Sequence, residues 1–266
     1  MVRRAVDARR FRTAAAHYAV GRPAYPPAFI AEVARVSGLT RSDRLLDLGS
    51  GPGVLALAFA PCVGSVLAVD PEPEMLRVAR EAVAAAGAAI EVREGSSETL
   101  GPEWGRFRAV TMGRSFHWMD RAETLRRLDA MVEPDGAVLL FNDELANMPS
   151  NAALRAWRNV VERYSADDRV RMERKSREWQ HHEEVLRASP FSRIEQLVQL
   201  HASSVTPEVL VHRALSMSAT TAARLGPRTE AMLAEIDAAL APCAPELSEI
   251  IEWTAIIASR PETSSA

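Results

Sequence analysis

Residues 45–53 read LLDLGSGPG, and this stretch decides the fold. An apolar run of strand length ends in glycines at 49, 51 and 53, and a run of helical character, 53–60, begins at once. Glycines permit a tight turn and a close backbone approach, so the turn offers N–H groups and a helix N-terminus to a polar ligand. Ordinary strand-end turns also use glycine, so the neighbouring residues matter. The next apolar run, 65–69 (SVLAV), ends at Asp70, about twenty residues on, where a carboxylate can accept ribose hydroxyls.

Outward from this unit, strand and helix alternate. Upstream, helices are expected over 7–19 (Phe11, Ala15, Tyr18) and 27–37, separated by GRPAYPP, whose prolines remove donors. Downstream, a helix over 74–86 closes at Gly87, and strands follow at 89–93 and 107–112. A helix at 121–131, a turn at EPDG and a strand at 137–141 complete the alternation, which predicts an α/β fold with a mostly parallel sheet. Residues 147–187 break the rhythm, with nine basic and seven acidic residues between 155 and 187, and read as a helical cap. A strand at 193–200, helices through 215 and over 227–240, and a last strand at 249–258 follow.

The glycine turn alone suits a dinucleotide or S-adenosylmethionine (SAM). Asp47 at its mouth gives a pyrophosphate nothing but can pair with an ammonium, directly or through water. The third glycine also falls one residue early for the G-x-G-x-x-G dinucleotide pattern.

On these residues the chain resembles the class I SAM-dependent methyltransferases, and within them the type 11, trans-aconitate methyltransferase-like group. The resemblance implies a Rossmann-like three-layer sandwich with a mostly parallel seven-stranded sheet. It further implies one domain over 1–266, with an N-terminal helical lid (1–40) and a helical insertion after strand five (147–190). By the same resemblance Asp47, Gly49, Ser50, Gly51 and Gly53 form the SAM loop, Asp70 and Pro71 lie at the ribose, and Met75 packs near adenine. EGSSETL places Gly95, Ser96, Ser97 and Glu98 near the ring. GRSFHWMD (113–120) matches an F-H-W segment beside the methyl group, through Ser115, His117 and Trp118. FRTAAAHYAVGRPAYP resembles the opening segment that folds over SAM. Phe107-Arg108 departs from the frequent F-D of relatives.

His117 is the candidate general base, since imidazole titrates near neutrality. Arg22 offers a planar, bidentate match to the methionine carboxylate, and Tyr18 closes over the amino-acid end. His17, Tyr25, His117, Trp118, Trp157 and Trp179 are candidates for the acceptor pocket, with Arg158, Tyr164, His181 and His182 as further wall residues. The reaction expected is methylation of a small molecule, at a carboxylate or hydroxyl oxygen, leaving S-adenosylhomocysteine. The alternatives are N- or C-methylation, a nucleic-acid methyltransferase, or a SAM-binding module without transfer.

A net charge of −3 gives no global attraction to nucleic acid or anionic lipid. A local excess does exist: residues 1–44 hold nine arginines against three acidic residues. No N–P–P–Y-type base-flipping motif follows strand four. Two distant cysteines and irregular His/Asp spacing predict no metal site, and no apolar run reaches membrane-span length, so the expected location is cytoplasmic.

Overall fold

The computed structural model describes residues 13–243 and 247–262, and in it seven strands form one sheet. These are β1 (Arg44–Leu48), β2 (Ser65–Asp70), β3 (Ile90–Glu94), β4 (Phe107–Gly113), β5 (Val132–Leu145), β6 (Arg193–Val205) and β7 (Leu247–Ser259). Their order is β3-β2-β1-β4-β5-β7-β6. Neighbours from β3 to β5 are parallel, and β7 runs antiparallel between β5 and β6. The chain moves outward from β1 to β3 and then returns to β4. At such a reversal the loops leave toward opposite faces and open a crevice at the carboxyl ends of the strands.

The helices are α1 (Ala15–Gly21), α2 (Pro27–Val36), α3 (Val54–Phe59), α4 (Pro73–Ala86), α5 (Arg121–Asp129), α6 (Ala152–Tyr164), α7 (Arg169–Arg174), α8 (His182–Arg187), α9 (Pro207–Leu215), α10 (Ala222–Leu225) and α11 (Arg228–Leu240). Strand alternation divides the apolar residues between two faces. Leu45, Val66, Ala68, Ala109 and Leu139 pack with Phe29, Ile30 and Val33 of α2 and Phe59 of α3. Leu46, Leu67, Val69, Val110 and Val138 pack with Leu125 and Leu128 of α5 and Leu186 of α8. A third cluster joins Leu154, Trp157 and Val161 of α6 to Leu210 and Ala214 of α9 and Met232 and Ile236 of α11. Within the span expected as a cap, α6 therefore roots in α9 and α11, while α8 packs on the sheet.

Several expectations change in detail. Phe11 and the start of the first expected helix lie outside the described residues, and the helix that is described begins at Ala15. EPDG is not a turn, because β5 runs through it: Phe107 pairs with Val132 and Ala109 with Ala137, so two steps along β4 correspond to five along β5. Arg108 sits at this irregularity, with a guanidinium nitrogen 3.5 Å from Asp135. Among the described residues no helix is long and apolar enough to cross a membrane.

One buried ion pair holds the lid to this frame. Arg213 on α9 donates to both carboxylate oxygens of Glu249 on β7, at 2.6 and 3.1 Å, and its Nε donates to the Gly21 carbonyl at the end of α1 at 2.8 Å. Both side chains are less than a tenth exposed. Removing one partner strands the other charge, so Glu249→Ala should cost about 3 kcal/mol of stability. A urea midpoint lowered accordingly, with the slope retained, is the expected measurement.

Candidate active site

The glycine turn is built by backbone bonds to the neighbouring strand. The Gly49 and Ser50 N–H groups donate to the Val69 carbonyl at 2.8 and 2.9 Å. The Gly51 N–H donates to Asp70 Oδ2 at 2.8 Å, and the Glu72 N–H donates to Oδ1 at 2.9 Å. Gly49 has φ +70°, and a Cβ there would stand 2.5 Å from the Ser115 Cβ. Only glycine fits that backbone and that contact. The Ser115 hydroxyl in turn donates to the Leu48 carbonyl at 2.7 Å and ties the end of β4 to the end of β1.

Asp47 plays a part that differs from the expected one. Its carboxylate turns inward, accepting from the Thr111 hydroxyl at 2.9 Å and the Ala56 N–H at 3.0 Å. It joins β1, β4 and α3 below the turn and does not line the cavity. Burial pushes its pKa up to about 7, against the lowering effect of those two donors. Burial likewise raises Asp70 to about 6, with its two N–H donors opposing.

A cavity of about 460 Å³ opens at the strand reversal, within the usual range for small-molecule sites. Its floor is Leu48, Gly49 and Gly51 from the glycine turn, with Asp70, Pro71 and Met75 from the end of β2 and α4. Ser96, Ser97 and Glu98 follow β3, and Ser115, His117 and Trp118 follow β4. Tyr18 and Arg22 reach it from the lid. Met75 packs on Ala14 and Ala15, so the lid rests directly on α4.

Other expected residues lie elsewhere. Trp157 is buried in the α6–α9–α11 cluster, where its indole N–H donates to the Leu210 carbonyl at 3.1 Å. Trp179 covers the Arg121 guanidinium, 4.1 Å from the ring centroid, and stands edge-on to His182. Tyr25 is buried against Phe141 and Trp253, and burial raises its pKa beyond the working range. His17 faces His212 on α9, with Nδ1 atoms 3.1 Å apart. Gly53 caps α3 at φ +81°, and Ser50 is buried beside the turn with its hydroxyl unpartnered. Neither these residues nor Arg158, Tyr164, His181 and His182 line the cavity.

The cavity also holds residues that the sequence reading missed. Arg114, with φ 57°, is the only non-glycine residue at positive φ among those described, and it pairs with Asp143 at the end of β5. Such backbone strain clusters at functional sites and was not visible in the sequence. Arg171 and Arg174 of α7 and Met217–Ala219 after α9 complete the upper wall.

Residues 45–136 match a family described as "Methyltransferase domain". That match runs from β1 into β5 and covers about a third of the chain. An uncharacterized methyltransferase of Mycobacterium tuberculosis is 32% identical over 133 residues, which cover 50% of this chain and 51% of the relative. A ubiquinone biosynthesis O-methyltransferase of Methylocella silvestris is 36% identical over 112 residues, covering 38% and 44%. The matches thus span about half the length of these curated relatives. A SAM-dependent methyltransferase from Thiobacillus denitrificans, solved with S-adenosyl-L-homocysteine, superposes with TM-score 0.56 and 15% identity over 94% of this chain and 98% of that one. A methyltransferase structure from Anaeromyxobacter dehalogenans gives 0.57 and 19% over 90% and 97%. At these identities the structural likeness establishes the fold.

The two raised carboxylates set a pH dependence. Each binds a proton more tightly in the folded state, so their contribution is full below pH ~4, the unfolded carboxylate value, and is lost as pH rises through about 6 and 7. Asp47→Asn can keep both contacts: its oxygen accepts from Ala56, its amide donates to Thr111, and that hydroxyl turns to Leu46, whose carbonyl lies 3.4 Å away. The expected result is a flatter stability profile between pH 4 and 8, measured by thermal melts of the ligand-free protein.

Proposed function

We propose that the domain binds SAM in this cavity and methylates a small molecule, at a carboxylate or hydroxyl oxygen. The observation that carries the reading is Arg22. It lines the cavity with a buried Nε that has no hydrogen-bond partner, and among the described residues no carboxylate pairs with it. Burial is the largest cause lowering its pKa, and the neighbouring Arg114 lowers it further. Tyr18 and the more distant Asp143 offset this only in part, and a guanidinium without an ion-pair partner is stabilised by a ligand carboxylate, which the amino-acid end of SAM carries. At the other end Asp70 still has acceptor capacity for ribose hydroxyls, because each oxygen accepts from one backbone N–H. With its pKa near 6, Asp70 is largely ionised at neutral pH and acts as an acceptor.

The sulfonium supplies an activated methyl group, so the protein's task is alignment and exclusion of water. Tyr18 and Arg22 close the lid side. Trp118 and His117, with ring centroids 4.9 Å apart, form the wall after β4. For a carboxylate acceptor no base is needed. For a hydroxyl acceptor His117 takes the proton as the oxygen bonds to the methyl carbon.

Calorimetric titration with S-adenosylhomocysteine tests the placement. Asp70→Ala and Arg22→Gln are each expected to weaken affinity about tenfold, corresponding to about 1.4 kcal/mol. Unchanged affinity in both variants would overturn it. Incubation with labelled SAM and separate pools of carboxylic acids, phenols, amines and RNA tests the acceptor class, and label confined to RNA would refute the small-molecule reading. His117→Gln should lower kcat at least tenfold for a hydroxyl acceptor and leave a carboxylate acceptor nearly unaffected.

A further inference from the structure

We infer that the methyl acceptor carries an anionic anchor, a carboxylate or phosphate separate from the atom that is methylated, and that Arg174 receives this anchor at the cap end of the cavity. The inference rests on SAM occupying the donor half.

It follows from the ion-pair partners of the arginines that line the cavity, which also carries Asp70, Glu72, Glu98, Asp143 and Asp168. Four arginines reach it: Arg22, Arg114, Arg171 and Arg174. Arg114 pairs with Asp143, and Arg171 pairs with Glu162 at 2.8 Å. Arg22 and Arg174 have no carboxylate within ion-pair distance among the described residues. The donor brings a single carboxylate, and Arg22, with its buried and unpartnered Nε, is the group that lacks one most acutely. That leaves Arg174 without an anion.

The two sites are distinct. Arg22 lies over the Tyr18 ring at the lid, whereas Arg174 Nη1 lies 3.4 Å from His117 Nε2. Arginine has no acceptor, so the imidazole nitrogen offers its lone pair in this long, weak contact. Partial desolvation lowers the Arg174 pKa, Glu144 pulls it back up from beyond ion-pair distance, and Arg171 pushes it down again. An anion between Arg171 and Arg174 would relieve that repulsion, and a guanidinium fork suits a planar carboxylate or a phosphate.

Arg174 is exposed where it lines the cavity, and its lack of a carboxylate partner sets it apart from the other arginines of α7. Arg169, turned outward on the same helix, is paired with Glu173 at 3.0 Å, and Arg171 is paired as above. The unpaired member is the one beside His117. The anchor is separate from the nucleophile, because hydrogen bonds from a guanidinium lower the nucleophilicity of the oxygens they engage. The acceptor is therefore bifunctional: a hydroxy acid, a dicarboxylic acid or a hydroxylated phosphate monoester.

The full chain should be incubated with labelled SAM and three matched pools: hydroxy and dicarboxylic acids, the same compounds as monoamides, and hydroxylated phosphate monoesters. Label is expected in the acid or the phosphate pool at least tenfold above the amides, and the pool labelled identifies the anchor. For the best acceptor, Arg174→Gln should raise KM at least tenfold with kcat changed less, Arg174→Lys should recover part of the loss, and affinity for S-adenosylhomocysteine should stay within twofold in both. Equal or greater label in the amides, or an unchanged KM, would overturn the inference. So would a loss of S-adenosylhomocysteine affinity in Arg174→Gln equal to that in Arg22→Gln, since Arg174 would then serve the donor. Absence of label from all pools while S-adenosylhomocysteine still binds would refute methyl transfer to these acceptors and the anchor with it. Failure to bind S-adenosylhomocysteine would refute the donor site itself.

Discussion

The site depends on a carboxylate that the cavity never sees. Asp47 is 1% exposed and holds three elements at one point: its own strand, the facing strand through Thr111, and the helix after the turn through Ala56. Burying an acid is costly unless donors meet it, and here two do. Its pKa near 7 shows that the two bonds only partly offset the burial. The arrangement is nonetheless what aims the turn. With the side chain directed inward, Gly49 and Gly51 present their backbone to the cavity above it. The strand reversal supplies the crevice, and this acid fixes its floor.

Above the floor, lid and cap share one support. Helix α9 sends Arg213 and His212 to α1 on one side and Leu210 to Trp157 of α6 on the other. The cap's root is tied independently to the sheet extension by Asn151, whose amide donates to the Ala146 and Ile250 carbonyls at 2.8 Å and accepts from the Ile250 N–H at 2.9 Å. A shift of α9 would therefore be felt on both walls of the cavity, since packed cores transmit displacement and do not absorb it.

Most of the parallel half of the sheet was legible because its elements carry their own punctuation: Gly87 closes α4, Asp120 caps α5, and β1 begins and ends where its apolar run does, whereas β5 runs on through the turn-like EPDG. The cavity floor was legible for the same reason, since strand ends fix where Gly49, Asp70 and Ser96 must lie. The direction of Asp47 was not, because a residue two places before a turn faces either the ligand or the core depending on the pleat. The aromatics show the same limit. Trp118 lies on the cavity and Trp157 in a core, and no feature of residue type separates them. What separates them is position: one follows a strand end at the reversal, and the other lies on the apolar face of a helix. The positive φ of Arg114 left no trace in the sequence, since arginine gives no local signal for it.

Helix α7 shows why the upper wall of the cavity had to wait for the structure. Its sequence, RVRMER, is charged on every side, so composition cannot give its orientation. The phase is set from outside. Helix α6 turns Leu154, Trp157 and Val161 toward α9 and α11, and Ser165 then starts the short link to α7, where Asp168 caps the new helix by accepting the Arg171 N–H at 3.0 Å. That start leaves Arg169 and Met172 in solvent and sends Arg171 and Arg174, three residues apart on one helical face, over the cavity. Rotating the cap by one residue would present Met172 to the pocket and turn both guanidiniums away from it. The charge on the upper wall is thus set by apolar packing on α6, upstream of α7 and away from the cavity.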